Sequence, residues 1–173
     1  ELTTKCLRQC FALQKEDGSL PSTGPKDNAM FHPDFLMHLI ATLKEYYCHT
    51  GDKALVQELL PYARRVMDFL RTYRDNTDGL LDSERSRPSP FLDWSERIEK
   101  RGKSTILNAL YKCSLEDLAD LETFGGNPTA ADALKAEAAQ VIQSVNALLY
   151  DQKNGIYRDS MRNGELLPTI SQQ

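Results

Sequence analysis

Apolar residues recur at helical spacing along almost the whole chain, and no stretch sustains the alternation of a strand. Leu2, Cys6, Cys10 and Leu13 form a first stripe, and Leu36, Leu39, Ile40, Leu43, Tyr46 and Tyr47 a second. Tyr62, Val66, Phe69, Leu70 and Tyr73 form a third, and Ile106, Leu110, Cys113, Leu118 and Leu121 a fourth. Leu134, Ala138, Val141, Ile142, Val145 and Leu149 complete the set. Steps of three and four put each group on one face of an amphipathic helix, so the expected fold class is all-α. The punctuation agrees. Gly51 suits the left-handed end of one helix and Asp52 the cap of the next. Pro61 fits the first turn of a long helix running to about Arg74. Gly125-Gly126-Asn127-Pro128-Thr129 separates the last two helices, and links this short make antiparallel neighbours.

A longer-range signal groups the helices. Asp17-Gly18-Ser19-Leu20, Asp78-Gly79-Leu80-Leu81 and Asn154-Gly155-Ile156-Tyr157 each place Asp or Asn, then Gly, then a short exit just after a helix. Such dipeptides mark turns anywhere. Their recurrence between helix pairs implies a repeated αα-hairpin, joined alternately by short links and long loops. That pattern suits an open solenoid or a closed ring of hairpins.

Charge and composition exclude several classes. The chain has 173 residues, with 25 acidic against 21 basic residues and a formal charge of −4. Nucleic-acid proteins usually carry a basic excess, so nucleic acid is not an expected partner. The longest apolar stretch, Phe35 to Leu43, is interrupted by His38 and Thr42 and falls far short of the ~20 residues that span a bilayer. No membrane partner is expected. The four cysteines show no metal-ligand spacing and are read as small buried hydrophobes, though two disulfides remain possible. The chain opens at Glu1 without Met, which leaves a removed leader open.

Chemistry is expected in the two long loops, residues 19–33 and 82–103, because long loops in compact domains are usually functional. The second contains Phe91-Leu92-Asp93-Trp94-Ser95-Glu96, with the only tryptophan of the chain. An indole face packs on the C–H side of a pyranose, and carboxylates accept from its hydroxyls. The same residues also suit a plug that seals the loop onto the core. Asp34 is placed at the start of the helix after the first loop, where an N-cap satisfies free N–H groups. His38, one turn on among Leu36, Met37, Leu39 and Ile40, is read as packed rather than as an acid–base group. His32 and His49 join no ligand pattern, and Glu96 to Arg101 reads as a solvated charged turn. Lys100-Arg101-Gly102-Lys103 lacks the interleaved aromatics of a nucleic-acid site. No nucleophile-elbow, zinc-protease, P-loop or dinucleotide motif occurs, and neither a cofactor nor a metal is implied.

The order of these segments resembles the catalytic domain of the bacterial α-L-rhamnosidases, the six-hairpin glycosidases of glycoside hydrolase family 78. Asp17-Gly18-Ser19-Leu20-Pro21 resembles that family's Asp-Gly-aliphatic-Pro loop, and Asp34 to Tyr47 its helix opened by an Asp. Tyr46-Tyr47, Thr50-Gly51-Asp52 and Leu60-Pro61 resemble its Tyr-Tyr, Thr-Gly-Asp and Tyr-Pro run. Asp78-Gly79-Leu80-Leu81 resembles its Asp-Gly-Leu turn, and Leu92-Asp93-Trp94 its Asp-Trp loop. Thr105 to Tyr111 resembles the helix after that loop, and Ser171-Gln172-Gln173 the start of the next.

The resemblance implies part of an (α/α)6 barrel over residues 1–173, truncated at both ends, with the rest of the barrel as its partner in a longer chain. It implies inverting hydrolysis of terminal α-L-rhamnosides in a rhamnose-containing glycan or glycoside. The catalytic residues are unknown: the family's Trp-Thr-Gly-Asp segment has no counterpart here, and its second carboxylate is expected beyond Gln173. The segment alone is therefore expected to be inactive. Asp93, Trp94 and Asp34 are the expected substrate-binding residues. Trp94 would stack on the sugar, Asp93 would accept from hydroxyls or act as an orienter, and Asp34 would serve the same rim or hold its helix start. Localisation stays open between periplasmic, secreted and cytoplasmic. Two alternatives stand beside this reading. One is another glycosidase on the same toroid. The other is a non-catalytic helical-repeat scaffold, which would show an exposed apolar groove rather than a polar pocket with a buried indole.

Overall fold

A computed structural model describes residues 1–26, 30–85 and 89–170. Ser171-Gln172-Gln173 lie outside the described residues. Among the described residues, five helices carry the fold: α1 (Leu2–Phe11), α2 (Pro33–Thr50), α3 (Lys53–Arg71), α4 (Thr105–Gly125) and α5 (Pro128–Leu148). The all-α expectation holds, with an addition. Among the same described residues, five strands of two or three residues trim one end: β1 (Lys103–Ser104), β2 (Tyr150–Asp151), β3 (Ile156–Tyr157), β4 (Ser160–Arg162) and β5 (Glu165–Leu166). Antiparallel pairing joins β1 to β4, β4 to β5 and β2 to β3. Segments this short are below the length at which alternation can be read.

The helices form two layers. Arg8 pairs with Glu58, Phe11 packs near Tyr62 and Gln14 accepts from Arg65, so α1 runs alongside α3 in the same direction. Lys44 pairs with Asp117, and Tyr47 stacks on Phe124 at 4.2 Å, so α2 and α4 are likewise parallel to each other. The short links reverse the chain between layers. Gly51 ends α2 at φ 66, and the Asp52 side chain accepts from Leu55 N at 3.0 Å to open α3. Gly126 ends α4 at φ 94, and Pro128 begins α5. Both links lie at one end. The long connections, residues 12–32 and 72–104, therefore emerge together at the other end, above the N-termini of α2 and α4.

All three recurrent turns also lie at that loop end. Gly18, Gly79 and Gly155 have φ 90, 78 and 69, a region in which an ordinary side chain is strained. Asp17 Oδ1 accepts from Ser19 N at 2.9 Å, and Asp78 Oδ1 from Leu80 N at 3.0 Å, repeating one turn in successive hairpins. The core between the layers includes Ile40, Leu43, Val56, Met67, Leu70, Tyr111, Leu115, Val141 and Leu149. Glu122 is buried with it, and Glu137 is half-buried. Glu122 binds Arg64 through both oxygens at 2.6 and 2.7 Å. Glu137 receives Arg71, Arg74 and the Tyr111 hydroxyl. Among the described residues, no helix is long and apolar enough to cross a membrane.

Several local expectations are corrected. Leu2 is 81% exposed and Cys6 is exposed, while Leu7 and Phe11 form the buried face of α1. The bulkier i, i+4 pair faces α3, and the stripe read from Leu2 lies to one side. Cys48 and Cys113 are exposed and Cys10 half-buried, so the cysteines are not core residues. Pro61 lies inside α3, because the Asp52 cap starts that helix earlier, and the helix ends at Arg71 rather than Arg74. His38 is exposed on the side of α2 opposite Ile40 and is not packed.

Candidate functional site

The two long loops meet at the first turn of α2. His32 is the N-cap residue and makes no side-chain cap bond, and Pro33 follows as the first helical residue. Asp34 is therefore not the cap, as expected from the sequence, but the second helical residue. Its carboxylate is 3% exposed and turns outward to the other loop. Oδ1 accepts from Phe91 N at 3.0 Å and Oδ2 from Leu92 N at 2.9 Å. Hydrogen bonds to a charged acceptor contribute about 1.5–3 kcal/mol each. The positive end of the helix dipole favours a carboxylate at this position.

This clamp holds an unusual turn. Leu92 has φ 55, and Asp93 N donates to Phe91 O at 2.7 Å across it. A non-glycine residue held there costs on the order of 1–3 kcal/mol, which the two bonds to Asp34 can offset. Trp94 leaves the turn immediately afterwards. Its ring meets Phe91 edge-on, at 4.8 Å and 81°. Phe91 lies 5.7 Å from Phe35 and 6.0 Å from His32, so α2 supplies the floor of a four-ring cluster. His32 Nδ1 is also 2.9 Å from Ser89 O.

The indole itself is 88% exposed. Trp94 does not plug the loop; half-buried Phe91 does that. The buried indole expected of a closed polar pocket is not observed either. Asp93 is exposed, and its Oδ1 accepts from Ser95 N at 2.6 Å. Lys100 donates to Asp93 O and sits 5.4 Å over the Phe91 ring. The structure thus brings Asp34, Asp93 and Trp94 into one loop cluster. His32 and Phe35 belong to it too; the spacing of aromatic residues at the start of α2 was the available signal.

A charged cleft of about 460 Å³ at the same end was missed by sequence reading. Lys103 bridges Asp75, at 3.0 Å, and Asp78. Hydrogen bonds from Thr77, first from its backbone and then from its hydroxyl, hold the Asp75 carboxyl well below its usual range, and Lys103 adds to this. Burial opposes the charge on Lys103, but its bonds to Asp78 and Asp75 outweigh that and push its pKa up. In the basic run, Lys103 and Arg101 are held by such pairs. Arg101 binds Glu99 at 2.7 Å, and chiefly through that bond holds the Glu99 carboxyl at about 2. Gly102 passes so close to β4 that a Cβ would stand 2.4 Å from Met161 O.

The family model of the bacterial alpha-L-rhamnosidase 6 hairpin glycosidase domain matches residues 1–172. The chain belongs to this family. As a six-hairpin glycosidase chain it also resembles solved rhamnosidases in fold. The GH78 family rhamnosidase of Bacillus sp. GL1 superposes with a TM-score of 0.82 at 24% identity, covering 91% of this chain and 16% of that one. A rhamnosidase from Klebsiella oxytoca with rhamnose bound also gives 0.82, at 21% identity, covering 95% and 32%. Among curated proteins, the N,N'-diacetylchitobiose phosphorylases of Vibrio proteolyticus and Vibrio furnissii are 26% and 24% identical over 148 residues. The match covers 78% of this chain, which spans only 18% of the length of those relatives.

Proposed function

We propose that this chain is part of a glycoside hydrolase acting on terminal α-L-rhamnosides, and that its loop end forms one wall of the sugar site. The observation that carries this reading is the Trp94 indole, left open to solvent yet fixed against Phe91 by a loop tied to α2. An indole with an open face and a fixed orientation suits stacking on a pyranose. Asp93, beside it, is the acceptor for sugar hydroxyls, and Asp34 holds the rim. Family membership supports the substrate class. Catalysis by inversion needs a carboxylic acid to protonate the leaving oxygen and a carboxylate to activate water, ~6.5–9.5 Å apart. We assign that pair to the part of a longer protein outside these 173 residues, in line with the small share of its relatives that the chain spans. The test is Trp94→Ala in the full-length enzyme. Loss of a stacked indole should lower kcat/KM on an aryl rhamnoside at least about tenfold, roughly 1.4 kcal/mol. An unchanged value with folding intact removes Trp94 from the site.

A second reading is favoured by the two curated relatives, both named as phosphorylases. There, inorganic phosphate replaces water: a phosphate oxygen bonds to the anomeric carbon, and the leaving oxygen departs with a proton. Phosphate-dependent release of a sugar 1-phosphate from a disaccharide would select it. Turnover of a rhamnoside in phosphate-free buffer would select hydrolysis.

A further inference from the structure

We propose that Asp34 is a positioning residue for the Trp94 face, and that it sets sugar affinity without touching the sugar. The inference rests on the sugar-site reading above. Both Asp34 oxygens accept loop amides, and the side chain is 3% exposed, which leaves it turned toward the loop and away from solvent. The two amides belong to the residues that enter and occupy the strained turn, and Trp94 lies two residues beyond it. Its neighbours at the start of α2 act in the same direction, with the N-cap residue His32 and Phe35 packed against the Phe91 ring that carries the indole. One helix turn therefore fixes the backbone of the loop through a carboxylate and its ring through two aromatic side chains. The energy stored at Leu92 makes the arrangement conditional. With the carboxylate removed, the loop gains by leaving the left-handed region, and the indole loses its orientation.

The experiment uses the full-length enzyme with 4-nitrophenyl α-L-rhamnopyranoside, and hydrogen exchange of the segment 89–96 measured by mass spectrometry. Asp34→Asn keeps the shape but lets the side chain accept only one of the two amides. It is expected to speed exchange in 89–96 and raise KM about tenfold, with kcat within about twofold. Leu92→Pro leaves α2 untouched, deletes one donor and cannot hold φ 55; it should raise KM in the same way. The deciding comparison is Asp34→Asn in a Trp94→Ala background. If Asp34 acts through Trp94, the double variant is no worse than Trp94→Ala alone. A full additional loss in the double variant, or an unchanged KM for Asp34→Asn and Leu92→Pro when Trp94→Ala raises it, overturns the inference and leaves the sugar-site reading standing. An unchanged KM for Trp94→Ala, or no rhamnoside turnover by the parent enzyme, instead overturns the reading on which the inference rests.

Discussion

Replacing the glycine of each recurrent turn by alanine should give three different costs, although the local sequences look alike. All three glycines have positive φ, so each alanine carries a backbone penalty of about 1–2 kcal/mol, offset by up to about 1 kcal/mol because alanine also restricts the unfolded chain. At Gly155 little else happens, since a Cβ would meet only Tyr150 Oη at 3.8 Å. At Gly79 it would lie 2.8 Å from Arg74 Nη2, the far end of a flexible side chain. At Gly18 it would stand 2.2 Å from Arg65 O, a backbone atom held in α3. Relief there means moving the first loop off α3, and forced overpacking of that kind adds about 1–3 kcal/mol. The expected totals are about 1 kcal/mol for Gly155→Ala and about 3 kcal/mol for Gly18→Ala, with Gly79→Ala between. Thermal unfolding followed by circular dichroism reads the difference, at roughly 2–4 °C per kcal/mol for a chain of this size. Equal losses at Gly18 and Gly155, within about 0.5 kcal/mol, would refute the claim that close packing of the turn on α3 decides the cost.

Three further outcomes follow from single sites. Pro61→Ala should stabilise α3 by about 1–3 kcal/mol, because it restores an interior helix hydrogen bond at an exposed position, and denaturant unfolding would register it as a higher midpoint. The Asp151 carboxyl is held at about 2, first by its Asn154 side-chain bond and then by Arg158; a folded value below the unfolded one is stability present above pH ~4 and lost as pH falls toward 2. Carboxyl NMR should show that midpoint, and Arg158→Gln should move it upward. Cys6, Cys48 and Cys113 should react readily with a disulfide reagent, whereas burial and the neighbouring Cys6 push the Cys10 thiol up to about 11 and should make it the slowest.

The hairpin plan was legible because its signals are local. Gly51-Asp52 and Gly126-Asn127-Pro128 each hold a stop and a start within a few residues, and the Asp-Gly turns mark where each repeat opens into a loop. Choices between competing faces were not. Leu2-Cys6 and Leu7-Phe11 are both i, i+4 pairs on α1, and only the position of α3 decides which is buried. At the site, Asp34 and Trp94 carried chemistry that the sequence could flag, but their connection did not show. The carboxylate reaches amides 57 and 58 residues away, through main-chain N–H groups that every residue type except proline carries. The Lys103 bridge to Asp75 and Asp78 has the same origin, since it joins a basic run to a turn that each looked complete alone.

We propose that the exposed Trp94 face is a wall of the rhamnoside site. A crystal structure of the full-length protein with L-rhamnose tests it most directly. A pyranose ring should stack about 4 Å from the Trp94 indole, with a hydroxyl on Asp93 and Asp34 still bonded to the amides of Phe91 and Leu92. A well-ordered sugar bound elsewhere in the barrel, with Trp94 open to solvent, would contradict it.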